Sequence, residues 1–384
     1  MTCKTEDTAY SVILEQLIED GTSGIKQAMT IMLNEAMKLE RQRYQQAEPY
    51  ERTESRADYS NGFKSKTIRS AVGEMKLSVP QVRSGNFYPS ALAKGRRTDR
   101  ALLLSLAEMY VQGTSTRKVS KIVEELCGFE VSSTEVSRAS KLLDEELSKW
   151  RKRTIPAMRY LYLDARYEKI RHGASVIDCA VLIAVGVNEK GRRSVLGVSV
   201  SLSEAEPHWR EFMKELTGRG LCGVELIISD DHAGLKAARK AVFPGVKWQR
   251  CQFHLQQNAQ KYVPKKSMKT EVASEIRSIF NAKNTVEATR LLNNFMADYA
   301  KTAPKLVEWA ERAIPEGLTV FDLPEAHRRN TRTTNMLERL NREILRRTRV
   351  ATLFPNEASC LRLVSAVLME TSEEWETGRR YMAM

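Results

Sequence analysis

Cysteine is sparse in this chain and nowhere paired. Its six residues, Cys3, Cys127, Cys179, Cys222, Cys251 and Cys360, stand apart with no CxxC spacing. That argues against a disulfide framework and against a finger-type zinc site, and it suits a reduced, intracellular protein. Long hydrophobic runs are missing too. The longest, Cys179 to Val187, is far too short to span a bilayer. The first ten residues carry Glu6 and Asp7 and lack the basic-then-apolar order of a signal peptide. A cytoplasmic chain with no membrane partner is expected. There is no Walker-type glycine loop and no GxSxG elbow, so nucleotide hydrolysis and serine-hydrolase chemistry lack support. Acidic charge is the scarcer sign: 48 Asp and Glu stand against 61 Lys and Arg, a net +13 over 384 residues. Such an excess suits a polyanion, bound by phosphate contacts and counterion release.

With 42% hydrophobic and 28% charged residues, the chain has the make-up of two or three globular units. The apolar spacing predicts a helical region over 1–50, broken between Gly21 and Gly24. Residues 51–99 form a basic, β-containing arm, with Asn61-Gly62 as a hairpin-type turn and, from Glu51 to Arg100, eleven Lys and Arg against five acids. Residues 100–153 read as three helices resembling a helix-turn-helix. Ser132-Ser133-Thr134-Glu135 is a capping box for the third, and Val136, Ala139, Leu143 and Leu147 form its inner stripe.

From Arg159 the texture becomes α/β. Strands are expected at 160–167, 175–187, 194–201, 224–229 and 246–251, with helices from about Pro207 to Leu216 and Ala233 to Val242. That is the element order of an RNase H-like sheet, assigned to 154–253 and completed by 328–384. Residues 254–327 between them read as an all-α insertion.

Cutting and joining phosphodiesters needs positive charge on the attacking and leaving oxygens. Two divalent ions roughly 3.5–4 Å apart, held by carboxylates, supply it. Asp164 stands in the strand Leu161 to Tyr167, where a lone carboxylate costs desolvation unless something pairs with it. Asp230 follows Leu226-Ile227-Ile228 at a strand's carboxyl end, where ligands collect in open α/β sheets. Asp231 beside it reads as a helix N-cap and a lesser candidate. Glu338 lies on a helix with buried Leu337, Leu340 and Ile344. Alone it would be half of an i,i+4 pair with Arg342. The stretch Arg328 to Arg349 holds eight Arg and two Glu, an excess suited to phosphates near an active site. Cys251 and His254 read better as a buried thiol and a structural or DNA-contacting imidazole than as a zinc pair.

At these motifs the chain resembles the Mutator-type transposases of bacterial insertion sequences, members of the DDE, RNase H-like group. The resemblance runs from about Arg56 to Met382. It rests on Asn61-Gly62-Phe63, Val79-Pro80-Gln81-Val82-Arg83, Gly113-Thr114-Ser115-Thr116-Arg117, Leu163-Asp164-Ala165, Ser229-Asp230 with Gly234-Leu235, Trp248-Gln249-Arg250-Cys251 with His254, and Thr333-Thr334-Asn335 with Glu338-Arg339. It implies Asp164, Asp230 and Glu338 as catalytic metal ligands for two Mg²⁺, with Mn²⁺ able to substitute. It implies double-stranded DNA partners, both terminal inverted repeats and target, and a homodimer in the DNA complex. Expected DNA contacts are Arg69, Arg83, Arg117, Arg138, Lys141, Arg328, Arg329, Arg332, Arg339, Arg342, Arg346 and Arg347. The rival readings are a non-catalytic DNA-binding regulator and a nuclease that cuts without joining.

Overall fold

The computed structural model describes residues 9–48, 51, 53–92, 94, 98–349 and 353–384. The chain divides into two compact units, one ending at Leu142 and the other beginning at Leu143. No helix among the described residues is long and apolar enough to cross a membrane.

In the first unit, α1 (Ala9–Asp20) and α2 (Ile25–Gln45) are joined by one 3₁₀ turn, Gly21–Gly24. The hairpin β1 (Ser60–Ser70) and β2 (Gly73–Val82) follows. Strand β2 alternates, turning Met75, Leu77 and Val79 onto Met37 of α2 in one small core. Asn61-Gly62 is not the hairpin turn. It lies inside β1, where the register slips between Ser60 and Phe63 and Gly62 has φ +70°. This is a bulge, made possible by a glycine in the left-handed region. The tight turn comes ten residues later, at Ala71 and Val72.

Helices α3 (Arg100–Val111), α4 (Thr116–Cys127) and α5 (Ser133–Ser140) bury Leu106, Val119, Val123, Val136 and Ala139 together. The capping box is complete: Ser132 accepts from the Glu135 amide, and Glu135 accepts from the Ser132 amide. The third helix is shorter than the apolar stripe suggested. It stops at Ser140, and after a 3₁₀ turn α6 (Asp144–Arg151) starts afresh with Asp144, Glu145 and Glu146 in its first turn. Three acids at a helix N-terminus oppose its positive dipole end and favour a new start there. Leu147 therefore belongs to the second unit, while Val136 and Ala139 belong to the first.

The second unit is built on one mixed sheet. In chain order it runs β3 (Tyr160–His172), β4 (Ser175–Val187), β5 (Arg193–Ser201), α7 (Glu206–Gly218), β6 (Leu226–Ser229), α8 (Ala233–Val242) and β7 (Lys247–Arg250). The sheet order is β5-β4-β3-β6-β7, with β3, β6 and β7 parallel and β4 antiparallel to both its neighbours. Strand β3 runs past the expected Tyr167. Its charged outer half, Glu168 to His172, continues the ladder with β4 and meets Phe354 in a single parallel bridge at Ile170 on the other side.

One layer of the core sets Trp209, Phe212, Met213 and Leu216 of α7 and Leu235 and Ala238 of α8 against Leu161, Leu163, Leu182 and Ile227. Between β7 and the return to the sheet come α9 (Gln252–Ala259), α10 (Lys269–Phe280), α11 (Thr285–Tyr299), α12 (Pro304–Ala313) and α13 (Glu325–Thr331). The described residues there contain no strand. Helix α12, unanticipated from the apolar pattern, begins with Pro304 in its first turn, where a missing N–H costs nothing. Helices α14 (Asn335–Thr348) and α15 (Glu357–Thr377) close the chain, and α15 lies along β5 and β3.

Candidate active site

Asp164 sits on the central strand β3, and its neighbour Leu163 pairs with Ser229, the last residue of β6. Asp230 is the next residue, so both carboxylates emerge at the same edge of two adjacent parallel strands. Ser229 is fixed by its neighbours on β7: its hydroxyl accepts from Trp248 Nε1 at 3.0 Å and its carbonyl from the Cys251 amide at 2.9 Å. Burial pushes the Asp164 carboxyl up to about 7. The Ala165 amide, His254 and Asn341 resist that rise, while the charge of Asp230 adds to it.

Asp231 points elsewhere. It does not cap α8, whose N-cap is His232 without a side-chain bond. Its two oxygens take Lys236 Nζ and Arg250 Nη1, each at 2.9 Å, and both cations also reach Glu316. Adjacent aspartates thus serve two different networks.

Glu338 arrives on α14, whose start is anchored at the end of β7. The Thr334 amide and hydroxyl donate to the Cys251 sulfur at 3.4 and 3.3 Å. Arg332 donates to Gln252 Oε1 at 2.7 Å. Further along α14, Asn341 Nδ2 donates to Asp164 Oδ2 at 2.8 Å, and Arg166 donates to the Asn341 carbonyl while pairing with Glu168 at 2.6 Å. Between the acids stands His254, its Nδ1 3.7 Å from Asp230 and its Nε2 3.8 Å from Glu338. Attraction to the Cys251 sulfur, partly offset by burial, and the Asp230 and Asp164 carboxylates raise the imidazole to about 9. Burial pushes the Cys251 thiol up, but the hydrogen bonds and charge of His254 together with the Thr334 hydroxyl outweigh it and leave the thiol below its usual range. Among the described residues no three His, Cys, Asp or Glu side chains close around an ion-sized space as they stand. Instead, the His254 ring stands between the Asp230 and Glu338 carboxylates, and the charge of Asp164 adds to their pull on it.

The family model for "Transposase, Mutator family" matches residues 1–378. The chain belongs to the Mutator family of transposases. Its relatives include the transposase for insertion sequence element IS406 of Burkholderia multivorans, 56% identical over 384 residues, all of this chain and 99% of that one. The ISRM5 transposase of Rhizobium meliloti is 41% identical over 99% of this chain and 96% of its own. The transposase of IS256 in Tn4001 of Staphylococcus aureus is 36% identical over 99% and 97%.

A transposase acts on DNA, so the disposition of its cations matters. Exposed side chains are Arg83, Arg117, Arg138, Lys141, Arg329, Arg339 and Arg342. Arg346 is exposed and ion-paired with Glu343 at 2.7 Å. Four of the arginines expected to contact DNA are instead engaged within the fold. Arg69 pairs with Glu74 and Glu135 at 3.4 and 3.1 Å. Arg328 donates to the carbonyls of Phe321, Leu323 and Lys283. Arg332 holds Gln252, and Arg347 is buried between Glu343 and Glu370. In this transposase a phosphate could claim them only by breaking those bonds, which costs more than a solvated arginine would. Glu338 makes no pair with Arg342 among the described residues; it faces His254. Asn341 was not singled out as a site residue from sequence, yet it shares a helix face with Glu338 three positions away, the spacing that could have flagged it.

Proposed function

We propose that this transposase binds the terminal inverted repeats of its insertion sequence, cleaves at the element ends to expose 3′-OH groups and joins those ends to target DNA. The observation that carries the reading is the convergence of Asp164, Asp230 and Glu338 from β3, the end of β6 and α14 onto one imidazolium. The strand order, with only the second strand of the sheet antiparallel to its neighbours, supports an RNase H-like catalytic domain over 154–253 and 328–384, interrupted by an all-α insertion over 254–327.

The donor set suits Mg²⁺, with Mn²⁺ substituting. All three groups are hard oxygen ligands, and Glu338 Oε1 and Asn341 Oδ1 are buried atoms that accept no hydrogen bond. Two such ions, when bound, would stabilise charge on the attacking and leaving oxygens. The chain's own part is to hold the carboxylates. Asn341 orients Asp164, the β6–β7 ladder orients Asp230, and the Cys251–Thr334 contact sets the start of the helix that carries Glu338. His254 neutralises the acids until a cation replaces it. Water attack breaks the bond to the 3′ oxygen and releases a 3′-OH. That hydroxyl then attacks a target phosphate, breaking its bond to the target strand's 3′ oxygen, which leaves as a new 3′-OH, with no covalent link between protein and DNA.

The basic arm and the α3–α5 helices, with Arg83, Arg117 and Arg138, supply end recognition in helix-turn-helix fashion. Holding two ends requires at least a homodimer. Given a pre-cut end with a free 3′-OH, supercoiled plasmid and Mg²⁺, the protein is expected to yield covalently joined products. A nuclease would only nick the plasmid.

The Asp164 proton gives a separate prediction. Near pH 6 its carboxyl is largely protonated, and a bound cation needs it ionised. Calorimetry in buffers of differing ionisation enthalpy should show Mg²⁺ releasing close to one more proton from the wild type than from Asp164→Asn. That difference should fade as pH rises through about 7. An equal release from both proteins at pH 6 would remove Asp164 from the metal site.

A further inference from the structure

Behind Asp230 lies a cavity of about 270 Å³ that the cleavage chemistry leaves unused. Its floor holds the Asp231, Lys236, Arg250 and Glu316 network, and its wall holds Asn258, Lys261, Tyr262, Trp309 and Arg312. Three features need a ligand. Arg250 is only 4% exposed, and its Nη1 binds both carboxylates while its Nε is buried with no partner. An orphaned guanidinium N–H in such a place is costly unless an acceptor arrives. Lys261 and Arg312 make no ion pair with any described residue, so the cavity offers positive charge in excess of its two acids. Tyr262 and Trp309 stack at 5.7 Å and 22°, with Tyr262 38% exposed beside Trp309 at 4%.

We infer that this cavity receives one unpaired nucleotide of the DNA strand next to the scissile phosphate. Its phosphate lies on Lys261 and Arg312, and its base lies against the Tyr262–Trp309 pair within reach of Asn258 and Arg250. The inference rests on the transposase reading for the identity of the strand. A bare phosphate would leave the aromatic wall and the Asn258 amide idle. A paired base has both faces covered and cannot enter a cavity of this size. Every base has a π-face, so an aromatic wall accepts a nucleotide whatever its sequence. Asp230 and Asp231 are consecutive, so a strand whose phosphate reaches the candidate metal ligands has its neighbouring nucleotide at the cavity mouth.

The test is anisotropy of the full chain, in EDTA, with labelled end duplexes that are flush, carry one unpaired nucleotide, or carry an abasic unit at that position. The unpaired nucleotide should tighten binding about tenfold over the flush duplex, the size of one base–aromatic stack, and the abasic unit should abolish the gain. Tyr262→Ala should lose the preference while keeping flush-duplex affinity and melting temperature. Lys261→Ala with Arg312→Ala should flatten the salt dependence for the tailed duplex alone, by up to about one unit of slope. Equal affinity of the wild type for flush and tailed duplexes would overturn the inference, as would a preference that survives Tyr262→Ala. Tyr262-dependent binding of free deoxyadenosine monophosphate with no preference for the tailed duplex would assign the cavity to a free nucleotide and overturn the strand-borne source. Absence of cutting in Mg²⁺ would count against the proposed function and leave this binding result standing.

Discussion

Asp164→Asn, Asp230→Asn and Glu338→Gln each lower cleavage at element ends by about a thousandfold or more, because several kcal/mol of charge stabilisation in the transition state is lost and each 1.36 kcal/mol is a factor of ten. Each change keeps the size of the side chain and removes one anionic oxygen. The elements of the first unit proposed to bind DNA are untouched, so duplex binding should persist. Folding can be separated from chemistry at Asp164. The folded chain keeps the Asp164 proton up to about 7 and the unfolded chain releases it near 3.8. The folded state therefore binds more protons across that window, and without a cation its stability falls as pH rises through it. Asn carries no such cost. In EDTA at pH 8, Asp164→Asn should melt no lower than the wild type while remaining inactive. An inactive variant that also melts well below the wild type would show a structural role instead.

Gly234→Ala is the second large effect, and it acts on the fold. Gly234 stands in the first turn of α8, four residues after Asp230. A Cβ there would lie 2.3 Å from the Glu204 carbonyl oxygen, 2.8 Å from the Glu206 amide nitrogen and 3.0 Å from the Ala205 carbonyl carbon. All three are backbone atoms of the turn entering α7, so no side chain can swing away. Alanine favours a helix by at most about 1 kcal/mol over glycine. Forced overpacking of this kind costs about 1–3 kcal/mol or more, and here the clash wins. A net loss of about 2 kcal/mol lowers the melting temperature of a unit this size by about 4–8 °C. Because α8 follows directly from Asp230 and Asp231, activity should fall as well. An unchanged or raised melting temperature would mean that the turn yields freely.

The sheet was legible because its strands are written in local pattern. Ser175 to Val187 and Leu226 to Ser229 are apolar runs, and Asp230 is conspicuous at the end of one. Glu338 was less so. Its helix shows an ordinary amphipathic stripe, and only the family resemblance separated it from the other charges on that face. Contacts across great distances in sequence were not legible at all. Asn341 reaches Asp164 over 177 residues, and nothing local to either residue encodes that bond. The arginines mark the same limit. Arg346 and Arg347 are adjacent and identical in type, yet the first faces solvent and the second is buried against Glu370 of α15. Helix phase and tertiary packing decide which of them can meet a phosphate. The misplaced hairpin turn has a similar cause. Asn-Gly accommodates positive φ equally in a turn or in a bulge, and the pairing of β1 with β2 chose the bulge.

The end-specific cutting proposed for the carboxylates gathered around His254 can be read directly from DNA products. Its most direct test incubates the purified protein and Mg²⁺ with labelled duplexes carrying the element's ends, beside scrambled ends, and maps every cut. Nicks that expose a 3′-OH are expected at the element boundary, absent on scrambled duplexes and absent with Asp164→Asn. Binding to the ends with no cut in Mg²⁺ or Mn²⁺ would contradict it and favour a DNA-binding regulator that has lost its chemistry.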